Sequence, residues 1–421
     1  MSDGSQLIAA VDMGSKELKL ALAFIHGDGQ MELLALEAFP SKGIKKGAVL
    51  NMEACVTALR ELFDKVEADT GMNIDAVYTA YSGENIEAIN SHGVAATGIR
   101  GRGRAITKFD KDQVIAAAQA IVIPEDRSIA HIFPLRYMVD NQEMVKEPLN
   151  MVGVRLEAEA HIIVAPTTLL DNLELAIGRT GRDVLDFMYS PVALGEAILS
   201  KEERERGTVL IDLGLNTTKI SYYQYGEPYY NYVLPIGSHA LTADLAYMLQ
   251  IPEEMAEQIK LEHGCAYRPL LDQEDFAYIP GSSDRSSESV SLYYICDVIS
   301  ARLTDMYNVA KRELSESGWL ERARGVVLGG AGAKLPGSVE LASRIFGVTA
   351  RLGYSMGIEN LEEENRDVRF SSALGLLKHY RLPSNDWYGP PDVAVGHSRE
   401  APHNGKSTRR SNIFTWLRDF F

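Results

Sequence analysis

Two stretches of this chain, 200 positions apart, carry one pattern, and that repeat constrains the fold more than any other feature. Residues 7–24 read LIAAVDMGSKELKLALAF, and residues 208–225 read TVLIDLGLNTTKISYYQY. In each, an apolar strand ends on an Asp, a residue and a Gly follow, and a second strand returns after a short polar turn. A unit repeated at that distance implies two related halves. Helical patterns at 51–66, 110–121, 167–180 and 296–314 are interspersed with such units, which predicts an α/β fold. A chain of 421 residues exceeds one ordinary core and is expected to divide into subdomains.

The turns point to chemistry. A Gly at a hairpin tip lets backbone N–H groups converge on an anion, because no Cβ stands in the way. Gly14 and Gly214 hold those positions, flanked by Ser15 and Lys16 in one turn and by Asn216, Thr217 and Thr218 in the other. An Asp at the strand end, Asp12 or Asp212, can hold a hydrated Mg²⁺. One D-x-G alone is an ordinary turn; two at matching strand ends form a clamp for a nucleotide's phosphates. GVVLGGAGAKLPG, residues 325–337, is a buried strand running into a glycine loop, and Gly329, Gly330 and Gly332 fit a bed for adenosine. The loop lacks the G-x-G-x-x-G context of a dinucleotide site. Glu257 and Lys260, three apart on one helix face, can reach a ribose or adenine edge, although the same spacing suits a surface ion pair.

The other end of the chain differs. From Pro383 to Arg410 the composition is proline-rich and aperiodic, as in an unstructured linker. Beyond it, Ile413, Phe414, Trp416, Leu417, Phe420 and Phe421 share one arc of a helical projection. Lys406, Arg409, Arg410 and Arg418 flank them against Asp419 alone. An amphipathic segment with basic neighbours on a long tether reads as a reversible foot on an anionic bilayer, rather than a piece docked on the body. No run of 18 apolar residues is present, the first residues lack the features of a signal peptide, and Cys55, Cys265 and Cys296 read as free thiols in a reducing compartment. A cytoplasmic location is expected. A net charge of −16 argues against nucleic acid as a partner, and the basic stretch GIRGRGRAITK (98–108) is expected to be a loop.

The order D-x-G-S, D-x-G-x-x-T-T, E-x-x-K and L-G-G-x-G-x-x-x-P-G resembles the actin, heat-shock chaperone and sugar-kinase ATPase superfamily. AYSGENIEAIN (80–90), GVRLEAEAHIIV (153–164), LPIGSHALTADLAYML (234–249), IKLEHGCA (259–266) and FSSALGLLKH (370–379) resemble the FtsA family of bacterial cell-division proteins. The resemblance implies an actin-like, two-lobed ATPase fold of four subdomains with an inserted subdomain in the first lobe. The expected boundaries are 1–84 with 166–194, the insert 85–165, 195–230 with 306–382, and 231–305, followed by a linker 383–410 and a membrane-targeting helix 411–421. It further implies ATP in the cleft, Mg held through water by Asp12 and Asp212, and assembly into filaments. The implied location is peripheral, on the cytoplasmic face of the membrane at the division site, with anionic inner-membrane lipids, FtsZ and later division proteins as partners. The C-terminal peptide of FtsZ would dock on 231–305, where Arg302 falls at the family's FtsZ-contacting arginine; a helix-surface salt bridge is the alternative role.

Four positions depart from that family. Leu215 and Asn216 replace glycines of the second turn, and Lys219 puts a cation where an acid is common. Ser190-Pro191-Val192-Ala193 lacks the carboxylate that often precedes the proline in related ATPases. ATP binding is therefore expected and rapid hydrolysis is not. An adaptor is the leading reading, with a sugar or acetate-type kinase of the same superfamily as the alternative. The kinase would need a general base in the cleft and would have no use for the tail.

Overall fold

The computed structural model describes residues 6–27, 29–98, 101–272, 275–279, 287–358, 361 and 367–380. They fall into two compact units, one drawn from Met1–Ala88 and Ala165–Asn385, the other comprising Ile89–Val164. The linker 383–410 and the segment 411–421, with its six candidate membrane residues, lie outside the described residues.

The first unit opens with strands β1 (Gln6–Met13), β2 (Glu17–Ile25) and β3 (Met31–Pro40) in an antiparallel meander. Helix α1 (Met52–Thr70) follows, capped by the Asn51 side chain accepting from the Ala54 N–H and ended by Gly71 in the left-handed region. Its Cys55, Leu59, Leu62, Phe63 and Val66, three and four apart, form the buried face that packs against β2 and β3. Strand β4 (Ala76–Tyr81) then adds parallel to β1.

The second unit is the insertion. It contains β5 (Glu87–Ala96), α2 (Lys108–Ala118), β6 (Arg127–Val139), β7 (Gln142–Val145) and β8 (Arg155–Pro166), with sheet order β7-β6-β8-β5. Val114, Ile115 and Ala118 of α2 share a core with Ile132, Leu156 and Ile162 of the sheet. Thr107 and Asp110 form a capping box at the start of α2, and the Arg104 guanidinium donates to both oxygens of Asp110. That pairing holds the Asp110 pKa down at about 2. The basic stretch 98–108 thus contributes a helix cap.

Helix α3 (Thr167–Gly178), strand β9 (Asp183–Tyr189) and helix α4 (Ser190–Ile198) complete the first half, with sheet order β9-β4-β1-β2-β3. The second half repeats it. Strands β10 (Thr208–Leu213), β11 (Thr218–Gln224) and β12 (Glu227–Leu234) form the meander. Helices α5 (His239–Leu249), α6 (Glu253–His263) and α7 (Leu292–Glu316) intervene before β13 (Gly325–Gly329) adds parallel to β10. Helix α8 (Ser338–Phe346) leads to β14 (Ala350–Leu352), giving the order β14-β13-β10-β11-β12. Each strand of one sheet therefore has a counterpart in the other. All six residues of β10 are buried, and its apolar centre, Val209, Leu210 and Ile211, is that of a strand covered on both faces. A last helix, α9 (Ser371–Tyr380), crosses α4 at Gly375, where a Cβ would lie 1.8 Å from the Ala193 carbonyl.

Candidate functional site

The two meanders carry the same charged pair in the same register. Asp12 on β1 stands opposite Lys19 on β2, and Asp212 on β10 stands opposite Lys219 on β11. Residues directly opposite in an antiparallel pair present their side chains on one face. Lys19 Nζ accordingly lies 3.0 Å from Asp12 Oδ2, and Lys219 Nζ lies 2.8 Å from Asp212 Oδ2. Each ammonium sits beneath its glycine turn. A Cβ added at Gly14 would be 3.3 Å from Lys19 Nζ, and one at Gly214 would be 3.7 Å from Lys219 Nζ. The second pair is the deeper, with side chains 9% and 8% exposed for Lys219 and Asp212.

Backbone hydrogen bonds fix the second turn. The Gly214 N–H donates to the Thr217 carbonyl at 3.1 Å, and the Ser238 and His239 N–H groups donate to the Gly214 and Leu215 carbonyls at 2.8 and 2.9 Å. The segment that starts α5 is thereby tied to the turn. The loop after β13 closes over the same carboxylate: Gly330 has φ +78°, and a Cβ there would lie 2.4 Å from Asp212 Oδ1. Only glycine meets both demands.

These parts surround a cavity of about 580 Å³. Asp12, Gly14, Ser15 and Lys16 line it from the first half. Asp212, Gly214, Asn216 and Thr217 face it from the second. Gly330 and Gly332 line it as well, but Gly329 does not; it ends β13, and a Cβ there would meet Leu194 of α4 at 2.8 Å. Its smallness serves helix packing.

Glu257 and Lys260 also reach the wall, within a compact polar cluster. Lys260 Nζ lies 2.5 Å from Glu257 Oε2 and donates to the Thr242 hydroxyl at 2.7 Å, while that hydroxyl donates to Glu257. Lys16 spans from the first turn to Glu257 Oε1 at 3.2 Å. Burial pushes the Glu257 pKa up, but hydrogen bonds from Lys260 and Thr242 outweigh it and hold the carboxyl at about 2. Burial pulls the Lys260 ammonium below its ordinary value, against the opposing pull of Glu257. Ser190, at the start of α4, supplies a hydroxyl to the wall. Among the residues that sequence reasoning missed are Lys19, Thr242 and Arg369, the last reaching Glu17 at 3.3 Å. A signal for Lys19 existed, since it occupies in the first repeat the place of Lys219 in the second.

The donor set suits a hydrated divalent metal rather than one bound directly by the chain. Mg²⁺ requires an octahedral shell of oxygens about 2.0–2.1 Å away. Asp212 gives one oxygen to Lys219 and Asp12 gives one to Lys19, and both carboxylates line the cavity, where they could hold the waters of an ion bound to phosphates. Among the described residues no group of three or more His, Cys, Asp or Glu is placed to share an ion.

Arg302 lies apart from the cavity, on α7. Its guanidinium donates to both oxygens of Asp244 on α5, at 2.6 and 3.0 Å. Cys55, Cys265 and Cys296 are buried free thiols. Among the described residues no helix is long and apolar enough to cross a membrane.

A family model described as "Cell division protein FtsA" matches residues 209–375, and one described as "SHS2 domain inserted in FTSA" matches residues 83–164. The Cell division protein FtsA of Borreliella burgdorferi is 36% identical over 383 residues, covering 90% of this chain and 92% of the relative. Among solved structures, the PilM–PilN type IV pilus biogenesis complex matches at a TM-score of 0.65 with 18% identity, covering 89% of this chain and 99% of that one. MreB5 of Spiroplasma citri bound to ADP matches at 0.51 with 11% identity, covering 89% and 96%. These likenesses show an actin-like α/β fold carrying an inserted domain.

Proposed function

Because this chain belongs to the FtsA family of cell-division proteins, we propose that it is a membrane-tethered, actin-like adaptor. In this reading it binds ATP, assembles with copies of itself, and anchors FtsZ filaments to the cytoplasmic face of the membrane at the division site. The observation that carries the reading is the relationship itself, 36% identity across 90% of the chain. The cavity supports it: two glycine turns with an ammonium under each suit a row of phosphates. Gly14, Ser15, Gly214 and Thr217 would face those phosphates. Lys16, Asn216, Glu257 and Lys260 would flank the nucleotide, and Gly330 and Gly332 would bed its adenosine.

Hydrolysis should be slow. Where related ATPases carry an acid at the start of this helix, the chain has Ser190, so turnover should stay below about 1 s⁻¹, an ordinary enzyme rate. The same serine weighs against a sugar or acetate-type kinase. The FtsZ peptide is assigned to 231–305 with Arg302 as a contact, and anionic lipid to the terminal helix. Later division proteins are further partners. Sedimentation of vesicles containing anionic lipid, with and without ATP and FtsZ, tests the adaptor role. FtsZ should pellet only when this chain is present. FtsZ left in the supernatant while the chain pellets would overturn the reading.

A further inference from the structure

We propose that Lys16 and Glu17, neighbours at the first glycine turn, form a clasp across the cavity that sets how fast a nucleotide enters and leaves. The proposal rests on the nucleotide reading of the cavity and adds to it the control of exchange. Its basis is that two consecutive residues of opposite charge reach two separate parts of the chain beyond the first half. Lys16 Nζ lies 3.2 Å from Glu257 Oε1 on α6. Glu17 Oε1 accepts from Arg369 Nη1 at 3.3 Å. Arg369 stands where the chain passes from the second half back to the first: residues 368–370 touch the loop after β13, and α9, which follows, packs on α4, β1, β2 and β4. Its Nε lies 3.2 Å from Asp367 Oδ2, and the same oxygen accepts from Lys334 of that loop at 2.8 Å. One residue of the pair is thus tied to α6. The other is tied, through Arg369 and Asp367, to the loop assigned to the adenosine.

Other charged contacts of the site run within one half. Asp12 pairs with Lys19 in the first, and Asp212 pairs with Lys219 in the second, as Glu257 does with Lys260 and Thr242. None of these resists a parting of the walls, whereas the contacts of Lys16 and Glu17 do. All four side chains of the two spanning pairs line the cavity. Lys16 and Glu257 are 52% and 28% exposed, and Glu17 and Arg369 are 25% and 38% exposed, so the pairs lie where the cavity meets solvent. Water and salt screen such pairs, and each is weak. Weak links at the margin of a site act as a gate: they part often enough to admit a ligand and re-form behind it. The clasp closes with or without ligand alike, so it governs the rates of exchange and not the balance between bound and free.

Stopped-flow mixing of the full chain with a fluorescent ATP analogue and Mg²⁺ reads the two rates separately. Glu17→Gln keeps the shape of the side chain and removes its charge. It should raise the association and dissociation rate constants together, each about two- to fivefold, the range that one half-exposed pair supplies. The dissociation constant, their ratio, should stay within about twofold. Arg369→Gln should speed both rates as well, and the double variant should be no faster than either single one, because both break the same link. Unchanged rates in Glu17→Gln would overturn the clasp. A dissociation rate that rises alone would overturn it too, since Glu17 would then be holding the ligand itself. Rates that multiply in the double variant would show that the two residues act apart. Should Arg369→Gln fail to fold, the paired rates of Glu17→Gln still decide. If the unaltered chain binds no ATP, the nucleotide reading of the cavity is what fails.

Discussion

His161 is wholly buried in the insertion, with Nδ1 against Asn90 Oδ1, and burial pushes its pKa down from 6.5 to about 3. At neutral pH the folded and unfolded forms are both uncharged. As pH falls below 6.5 the unfolded imidazole takes up a proton that the buried one refuses until about 3, so the fold loses about 1.4 kcal/mol per pH unit in that window. Urea melts between pH 7 and 5 should show this slope in the unaltered chain and a shallower one in His161→Gln; equal slopes would contradict the assignment. Gly330 invites a second test. Gly71 also has positive φ but open space around it, whereas Gly330 faces Asp212 Oδ1. Gly71→Ala should therefore lose about 1–2 kcal/mol from backbone strain alone, and Gly330→Ala clearly more in the same melts. Single residues were the hardest scale to read in the sequence. Lys19 stands between Leu18 and Leu20 and resembles any outward-facing strand residue until register sets it against Asp12. Of the adjacent glycines 329 and 330, periodicity cannot say which ends the strand and which enters the loop, so Gly329 reads with Gly330 as part of the adenosine bed.

Elements were more legible. The helical stretches expected at 51–66, 110–121, 167–180 and 296–314 exist as α1, α2, α3 and α7, with shifted ends. Amphipathic spacing marks such helices strongly; on α7, Ile295, Ile299, Leu303, Met306 and Ala310 recur at three and four. What spacing cannot show is which helices cross. Arg302 and Asp244 are 58 positions apart and meet because α5 packs on α7. The pair is partly exposed, 35% and 29%, so its own contribution to stability is small, at most about 1 kcal/mol. That frees it for a test of binding. Arg302→Glu should weaken FtsZ peptide binding by at least about 1–2 kcal/mol, the cost of reversing one charged contact. Asp244→Asn, which breaks the ion pair but keeps the cation, should leave binding in place. Fluorescence anisotropy of a labelled peptide reads both; binding that survives Arg302→Glu would put the site elsewhere.

At the scale of the molecule, the two-half architecture was legible because its signal is written twice, in an apolar strand that ends at Asp-x-Gly and a second strand that returns after a polar turn. The insertion was not visible in spacing, since its strands look like any others, and only the likeness of quoted segments to a family suggested it. The tail offers the prediction at this scale. Under the proposed membrane role of the tail, Trp416→Glu should abolish sedimentation with anionic vesicles, because a carboxylate in the apolar arc would cost more than a single weak foot supplies. The melting temperature of the body should not change. A charged tail that still pellets, or a body that unfolds on deletion of 411–421, would show that the segment belongs to a core. The paired meanders also bear on direction. A nucleotide differs from end to end, whereas two walls with the same turn and the same Asp–Lys pair look alike from either side. Head and tail must then be told apart by parts that only one wall owns. Thr242, Glu257 and Lys260 are such parts, borne by α5 and α6 between β12 and β13, where the first half has α1 between β3 and β4. The polarity of whatever lies in the cleft is thus a property of the asymmetry laid over the repeat, not of the repeat itself.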